Sequence, residues 1–210
     1  MTSTSNASTA SERLIDATRE LLWERGYVGT SPKAIQQRAG AGQGSMYHHF
    51  TGKPDLALAA IRRTAEETRA AAERVLGGER VLGGEGTAYE RIAAYLRRER
   101  DVLRGCPVGR LTMDPDVVAD EGLRAPVDET LDWLRGRLAG IVREGVASGE
   151  FDGALDPEGT AAAIVATVQG GYVLARASGS AAAFGTAVEG LLGLLRPLGT
   201  PGPLGGRRAA

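Results

Sequence analysis

Apolar residues recur at helical spacing through most of the chain. Leu14, Ile15, Thr18, Leu21 and Leu22 form one stripe, which predicts a helix from about Ser11 to Arg25, stopped by Gly26. Ser31-Pro32 opens a second helix. The serine side chain caps free N–H groups, and proline lacks a donor that would go unpaired at the first helical position. Ile35 and Ala39 face inward. Gly40 ends this helix after barely two turns, because glycine accepts the left-handed backbone of a tight turn. A third helix covers roughly Gln43 to His49, where Met46 and Phe50, four residues apart, form a buried anchor. A fourth starts near Lys53-Pro54-Asp55 and runs to about Leu76 through Leu56, Leu58, Ile61, Thr64 and Ala65.

The pattern continues in the second half. Thr87 and Glu90 make a capping box, predicting a fifth helix to about Leu103. Cys106 to Asp116 reads as a short connector, irregular or briefly helical. A long helix is expected from near Pro126 to Ser148, with Val127, Leu131, Leu134, Leu138, Ile141 and Val142 inside. Asp156-Pro157 repeats the cap-plus-proline signal and opens a helix to about Ala177. A last helix spans about Ala181 to Leu195 and ends at Pro197. Sustained β-branched alternation is scarce, so the fold class is all-α. The hexapeptide ERVLGG at 73–78 is repeated at once at 79–84; its period is too short for a solenoid and suits a tolerant loop. Residues 1–9 and the Pro/Gly-rich tail 197–210 are expected to be disordered.

Charge sharpens the picture around the two short helices. From Arg25 to Pro54 the charged residues are Arg25, Lys33, Arg38 and Lys53, a local balance of +4 in a chain whose net charge is −1. Two short helices about a glycine-bearing turn, the second bearing Tyr47, His48 and His49 away from its anchor, match a helix-turn-helix whose second helix enters a DNA groove. Gln43, Ser45, Tyr47, His48 and His49 face outward, Gly44 permits close backbone approach, and Lys53 can touch a phosphate beside a helix N-terminus. The competing readings are a half-buried structural Tyr47, a solvated polar helix, and a metal site at His48 and His49. Adjacent helical residues diverge and no cysteine or carboxylate adjoins the histidines, which disfavours metal.

Other chemistry is thin. The chain has one cysteine, Cys106, so no internal disulfide framework is available and a reducing cytoplasm is the simplest setting. Arg104 and Arg110 flank Cys106, but no histidine lies in that half, and a buried structural thiol is the better reading. No nucleophile–base pair is found, so an enzyme is not expected. The N-terminus lacks a signal-peptide layout. The uncharged run Thr160 to Ala175 is 16 residues, too short to span a membrane. No cofactor is expected.

The segment GYVGTSPKAIQQRAGAGQGSMYHHFTGK resembles the signature of the TetR family of transcriptional regulators, at Gly26-Tyr27, Thr30-Ser31, Ile35, Ala39-Gly40, Gly44, Tyr47, His49-Phe50 and Lys53. The resemblance implies an all-helical homodimer that binds a palindromic double-stranded DNA operator, usually represses transcription, and is released by a small molecule. It implies DNA contacts at Thr30, Gly44, Tyr47, His48, His49 and Lys53, with Gln43 probing the major groove. Gly42 departs from the Ser or Thr usual there, Ala41 from a commoner valine, and Gln36 from a small residue. Gly105-Cys106-Pro107-Val108-Gly109 and the later GEFDGALDPEGTAAAIVATVQGGYVLARA resemble the narrower LmrA/YxaF-like group.

The resulting organisation is a helix-turn-helix domain at 10–54 and a helical ligand-binding and dimerisation domain at 55–196. Gly170, Gly171, Ala175 and Ala177, with Ile164, Val165, Val168, Leu191, Leu192 and Leu195, fit either a dimer interface or the monomer core. Tyr95, Met113, Trp133, Gln169 and Tyr172 are candidate lining for a pocket that takes a small, hydrophobic effector. The alternative function is a helical small-molecule-binding protein with little or no DNA-binding role.

Overall fold

The computed structural model describes residues 9–77 and 86–196. The expected disorder at 1–8 and 197–210 and most of the duplicated hexapeptide lie outside them. Among the described residues every regular element is helical: α1 Ala10–Arg25, α2 Pro32–Ala39, α3 Gln43–His49, α4 Lys53–Leu76, α5 Ala88–Arg97, a 3₁₀ turn Gly109–Met113, α6 Pro115–Ala119, α7 Glu121–Ala147, α8 Pro157–Ser178 and α9 Ala182–Leu194. This is the all-α class the periodicity predicts.

Local signals explain most boundaries. Thr9 and Glu12 close a capping box at the start of α1, and Thr87 and Glu90 do so at α5. Ser31 Oγ accepts from Ala34 N at 3.2 Å ahead of Pro32. Asp156 accepts from Glu158 N and Gly159 N ahead of Pro157. Two boundaries differ from the sequence reading. Helix α7 starts at Glu121, so Pro126 lies inside it. Asp120 Oδ1 accepts from Leu123 N at 3.0 Å and supplies the earlier cap. Helix α5 stops at Arg97, because Arg98 is extended at φ −54°, ψ 149°.

The chain divides into two compact units, Met1–Ala70 with Arg104–Asp132, and Ala71–Leu103 with Trp133–Ala210. In the first, Leu14, Ala17, Leu21, Ile35, Ala39, Met46, Phe50 and Leu56 join α1 to α4 around one core. A second core sets Leu22, Tyr27, Ala57, Ala60 and Ile61 against Val108, Leu111, Val117, Leu123 and Val127. Both remove apolar area from water, the main favourable term in folding.

In the second unit, α8 and α9 pack as a helical hairpin joined at Gly179, and α5 lies against α9. Ile92, Leu96, Leu138, Ile141, Ile164 and Leu192 are fully buried. Arg137 reaches Glu73 through both Nε and Nη2, at 2.9–3.1 Å. The small and apolar residues of α8 and α9 divide between faces. Gly171, Ala175, Ile164, Val165, Val168, Leu192 and Leu195 are buried within the unit, whereas Gly170 and Ala177 are exposed.

Candidate nucleic-acid interface

The turn between α2 and α3 is made by Gly40, left-handed at φ 59°, ψ 35°, where a larger residue is strained. Its N–H donates back to the end of α2, as does Ala41 N to Gln36 O at 3.0 Å. Helix α3 is only seven residues long, too short to persist alone in water. Its anchor is Met46 and Phe50, both buried. The Gln36 amide donates to Met46 Sδ at 3.4 Å, so the unusual Gln36 braces the anchor.

With that face inward, the opposite face is open. Tyr47 is 50% exposed, and Gln43, Gly44, His48 and His49 are exposed, with Ser45 half-buried. The rings of His48 and His49 meet edge to face at 4.9 Å. Six of the eight predicted DNA-contacting residues therefore share α3. The side chain of Thr30 does not join this surface. It is buried, and its hydroxyl donates to Gly26 O at 2.7 Å, so it closes the turn leading into α2. Lys53 is half-buried at the start of α4, its Nζ 3.9 Å from the centre of the Tyr27 ring. Burial holds its ammonium below the usual lysine range, partly offset by Asp116 and Asp114.

The local positive balance is smaller than a window of sequence suggests. Arg38 donates to Glu24 at 2.7 Å, and this hydrogen bond from Arg38 lowers the Glu24 carboxyl's pKa. Arg104 stacks 3.7 Å over the Trp23 ring and pairs with Glu20.

Sequence reasoning missed Asp114. Its Oδ2 accepts from Tyr27 N at 2.7 Å and Val28 N at 3.0 Å, and its Oδ1 from Asp116 N at 3.3 Å. This buried carboxylate thus ties the turn after α1 to the start of α6. Gly26 beside it has φ 75°, and a Cβ there would sit 2.9 Å from Oδ2. The signal was available: Asp114-Pro115 repeats the cap-plus-proline pattern of Asp156-Pro157.

The predicted pocket residues do not form one set. Tyr95 and Tyr172 are buried in the second unit, and Trp133 and Gln169 are half-buried there. Met113 belongs to the first unit and is 80% exposed, so its side chain lines no interior. An open cleft of about 650 Å³ lies over the start of α5, lined by Thr87, Tyr89, Arg91, Glu144 and Glu150 among others. None of the five candidates borders it. Among the described residues no group of three or more His, Cys, Asp or Glu side chains could hold a metal ion, and no helix is long and apolar enough to cross a membrane.

Comparison with known proteins accords with this geometry. Residues 14–60 match the profile of bacterial regulatory proteins of the tetR family, and residues 87–191 that of the tetracyclin repressor-like C-terminal domain. The chain is 31% identical over 161 residues to the transcriptional regulator AcuR of Cereibacter sphaeroides, covering 75% of this chain and 72% of that protein. It is 26% identical over 145 residues to the fatty acid metabolism regulator protein of Bacillus subtilis, covering 69% and 72%. Among solved structures, a TetR regulatory protein from Rhodobacter sphaeroides superposes with a TM-score of 0.76 at 26% identity, over 88% of this chain and 98% of that one. Reduced NemR of E. coli gives 0.76 at 21% identity over 91% and 99%, a likeness of fold.

Proposed function

This chain belongs to the TetR family of bacterial transcriptional regulators, and from that premise we propose that it is a dimeric repressor. It sits on a palindromic operator and leaves when a small hydrophobic effector enters its C-terminal unit. The observation that carries this reading is the division of α3 into a buried anchor and an exposed polar face. A recognition helix needs both: the anchor fixes register, and the open face meets phosphates and base edges.

In this reading Tyr47, His48, His49 and the backbone at Gly44 and Ser45 contact phosphates. Gln43, at the first position of α3, offers an amide that can pair with adenine. Lys53 leaves the Tyr27 ring to meet a phosphate, which costs little because a half-buried ammonium gains on pairing with an anion. Thr30 acts from behind, keeping the turn closed. The effector shifts the population toward a dimer whose two recognition helices no longer match successive major grooves. The likeness of Gly105–Gly109 to the LmrA/YxaF-like group accords with a hydrophobic effector.

The test is fluorescence anisotropy on the DNA upstream of the protein's own gene, at two salt concentrations, with Tyr47→Ala alongside. Binding should be tight and weaken steeply with salt as counterions are released, and the variant should lose about tenfold or more. Binding no tighter than to random duplex would overturn the reading.

A further inference from the structure

Four arginines of the second unit have an acidic partner among the described residues. Arg97 meets Glu189 at 2.7 Å, Arg137 meets Glu73 at 2.9 Å, Arg143 meets Glu158 at 3.2 Å, and Arg91 meets Glu144. Arg98 and Arg100, just past the end of α5, do not follow the pattern. Arg100 turns back on the helix. Its Nη1 donates to Leu96 O at 2.7 Å and Arg98 O at 3.1 Å, and its Nη2 to Tyr95 O at 2.6 Å. Those bonds cap the last carbonyls of α5 but leave the Nε–H buried with no acceptor. The Arg98 Nε–H is buried and without acceptor as well. Buried donors in native proteins nearly always have partners, and a pair of orphans on neighbouring cations asks for one.

The surroundings say what kind. The Arg98 and Arg100 guanidinium groups lie 4.8 and 5.1 Å from the centre of the Tyr95 ring, and Arg100 is 5.5 Å from that of Phe184. Phe184 packs in turn on Tyr172 at 5.0 Å. Arg100 is held below the usual arginine range by burial first and by the charge of Arg98 second; the groups opposing them are Tyr172 and Tyr95, with no carboxylate. Two like charges brought together on half-buried side chains, with rings on their flanks and no counter-ion, repel and lose part of their hydration. Helix capping accounts for the terminal nitrogens of Arg100 alone. Water could accept from the two orphans but would leave the charge uncompensated.

We propose that Arg98 and Arg100 form an anion subsite for the effector, which is a small carboxylate whose apolar body packs against Tyr95, Tyr172 and Phe184. A carboxylate has two acceptor oxygens for two donors and one charge to offset the pair, and guanidinium groups recognise it by geometry as well as charge. The aromatic lining favours an apolar tail over a bare inorganic anion. This rests on the second unit being the effector-binding one, and it specifies the chemistry taken there.

The test reads binding without DNA, so its failure leaves operator binding untouched, and a failure of operator binding leaves it intact. Full-length protein is titrated with acetate, hexanoate and benzoate, with neutral benzamide and inorganic phosphate as controls, and melting temperature and tyrosine/tryptophan fluorescence are followed. At least one of the carboxylates carrying an apolar body should raise the melting point saturably, while benzamide and phosphate do not. Arg98→Gln should weaken that binding about tenfold to hundredfold. Arg100→Lys, which keeps the charge and much of the helix cap, should weaken it by a similar factor through loss of the planar fork. No saturable shift with any carboxylate, or an unchanged affinity in Arg98→Gln, would overturn the proposal. An equal response to phosphate would reduce the pair to a general anion site and overturn the carboxylate assignment. Unchanged carboxylate binding in an Arg98→Gln protein that has become monomeric would make the pair part of a protein interface instead.

Discussion

The side chain with the most structural responsibility per atom is Asp114. One carboxylate accepts three backbone N–H groups, two from the turn that follows α1 and one from α6. Hydrogen bonds to a charged acceptor contribute more than neutral ones, and removing the acceptor strands the buried Tyr27 N–H. Asp114→Ala should therefore cost about 2–3 kcal/mol and lower the melting temperature by about 5–10 °C. Calorimetry on the full chain would check it; an unchanged melting point would mean that water replaces the carboxylate at no cost. The same turn sets the approach to α2, so operator affinity should fall with stability in this variant. Asp114 lies 87 residues from Tyr27 in sequence, which is why no local pattern linked the two.

At the scale of elements, chain-local signals were readable and distant ones were not. Capping residues and stop glycines marked α2, α8 and the start of α5 within a residue or two, because a cap acts over three positions. The end of α5 was misjudged because Arg100 satisfies its carbonyls from outside the helix. The start of α7 was placed at Pro126 because proline is normally found in the first turn, whereas the Asp120 cap begins the helix earlier. Helix α3 shows how a departure becomes a prediction. Gly42 is its N-cap and makes no side-chain bond, and a Cβ added there meets nothing within 4 Å. Gly42→Ser should add the missing cap, worth a few tenths of a kcal/mol, or about 1 °C in melting temperature. If Gly42 stands beside a phosphate in the proposed operator complex, the added hydroxyl should also tighten operator binding by about threefold to tenfold. Paired melting and anisotropy measurements separate the effects: a higher melting point with unchanged affinity would place this residue away from the DNA.

On the scale of the whole molecule the question is what completes it. The α8 positions 163, 166, 170, 173, 174 and 177 follow helical spacing and are all exposed, yet they hold only Ala, Gly, Val and Leu. Val173 and Leu174 are 59% and 54% exposed, and Leu194 on α9 is 86% exposed. A helix facing solvent normally carries polar residues on that side, and a contiguous apolar surface of this kind marks an interaction site. The sequence leaves these helices open between core and interface and mixes two faces, because alanine and glycine suit both equally. A second copy of this chain is the occupant that the proposed palindromic operator would require, since a two-fold site is read by a two-fold protein. Leu174→Asp combined with Leu194→Asp should preserve the fold, as neither side chain is buried in the monomer, and should convert the protein to monomers in sedimentation equilibrium. Because a dimer holds its second recognition helix at high effective concentration, affinity for the full palindrome should fall by about a hundredfold or more. Binding to an isolated half-site should hardly change. A double variant that stays dimeric would place the interface elsewhere, and one that becomes monomeric yet keeps palindrome affinity would remove dimerisation from the proposed mechanism.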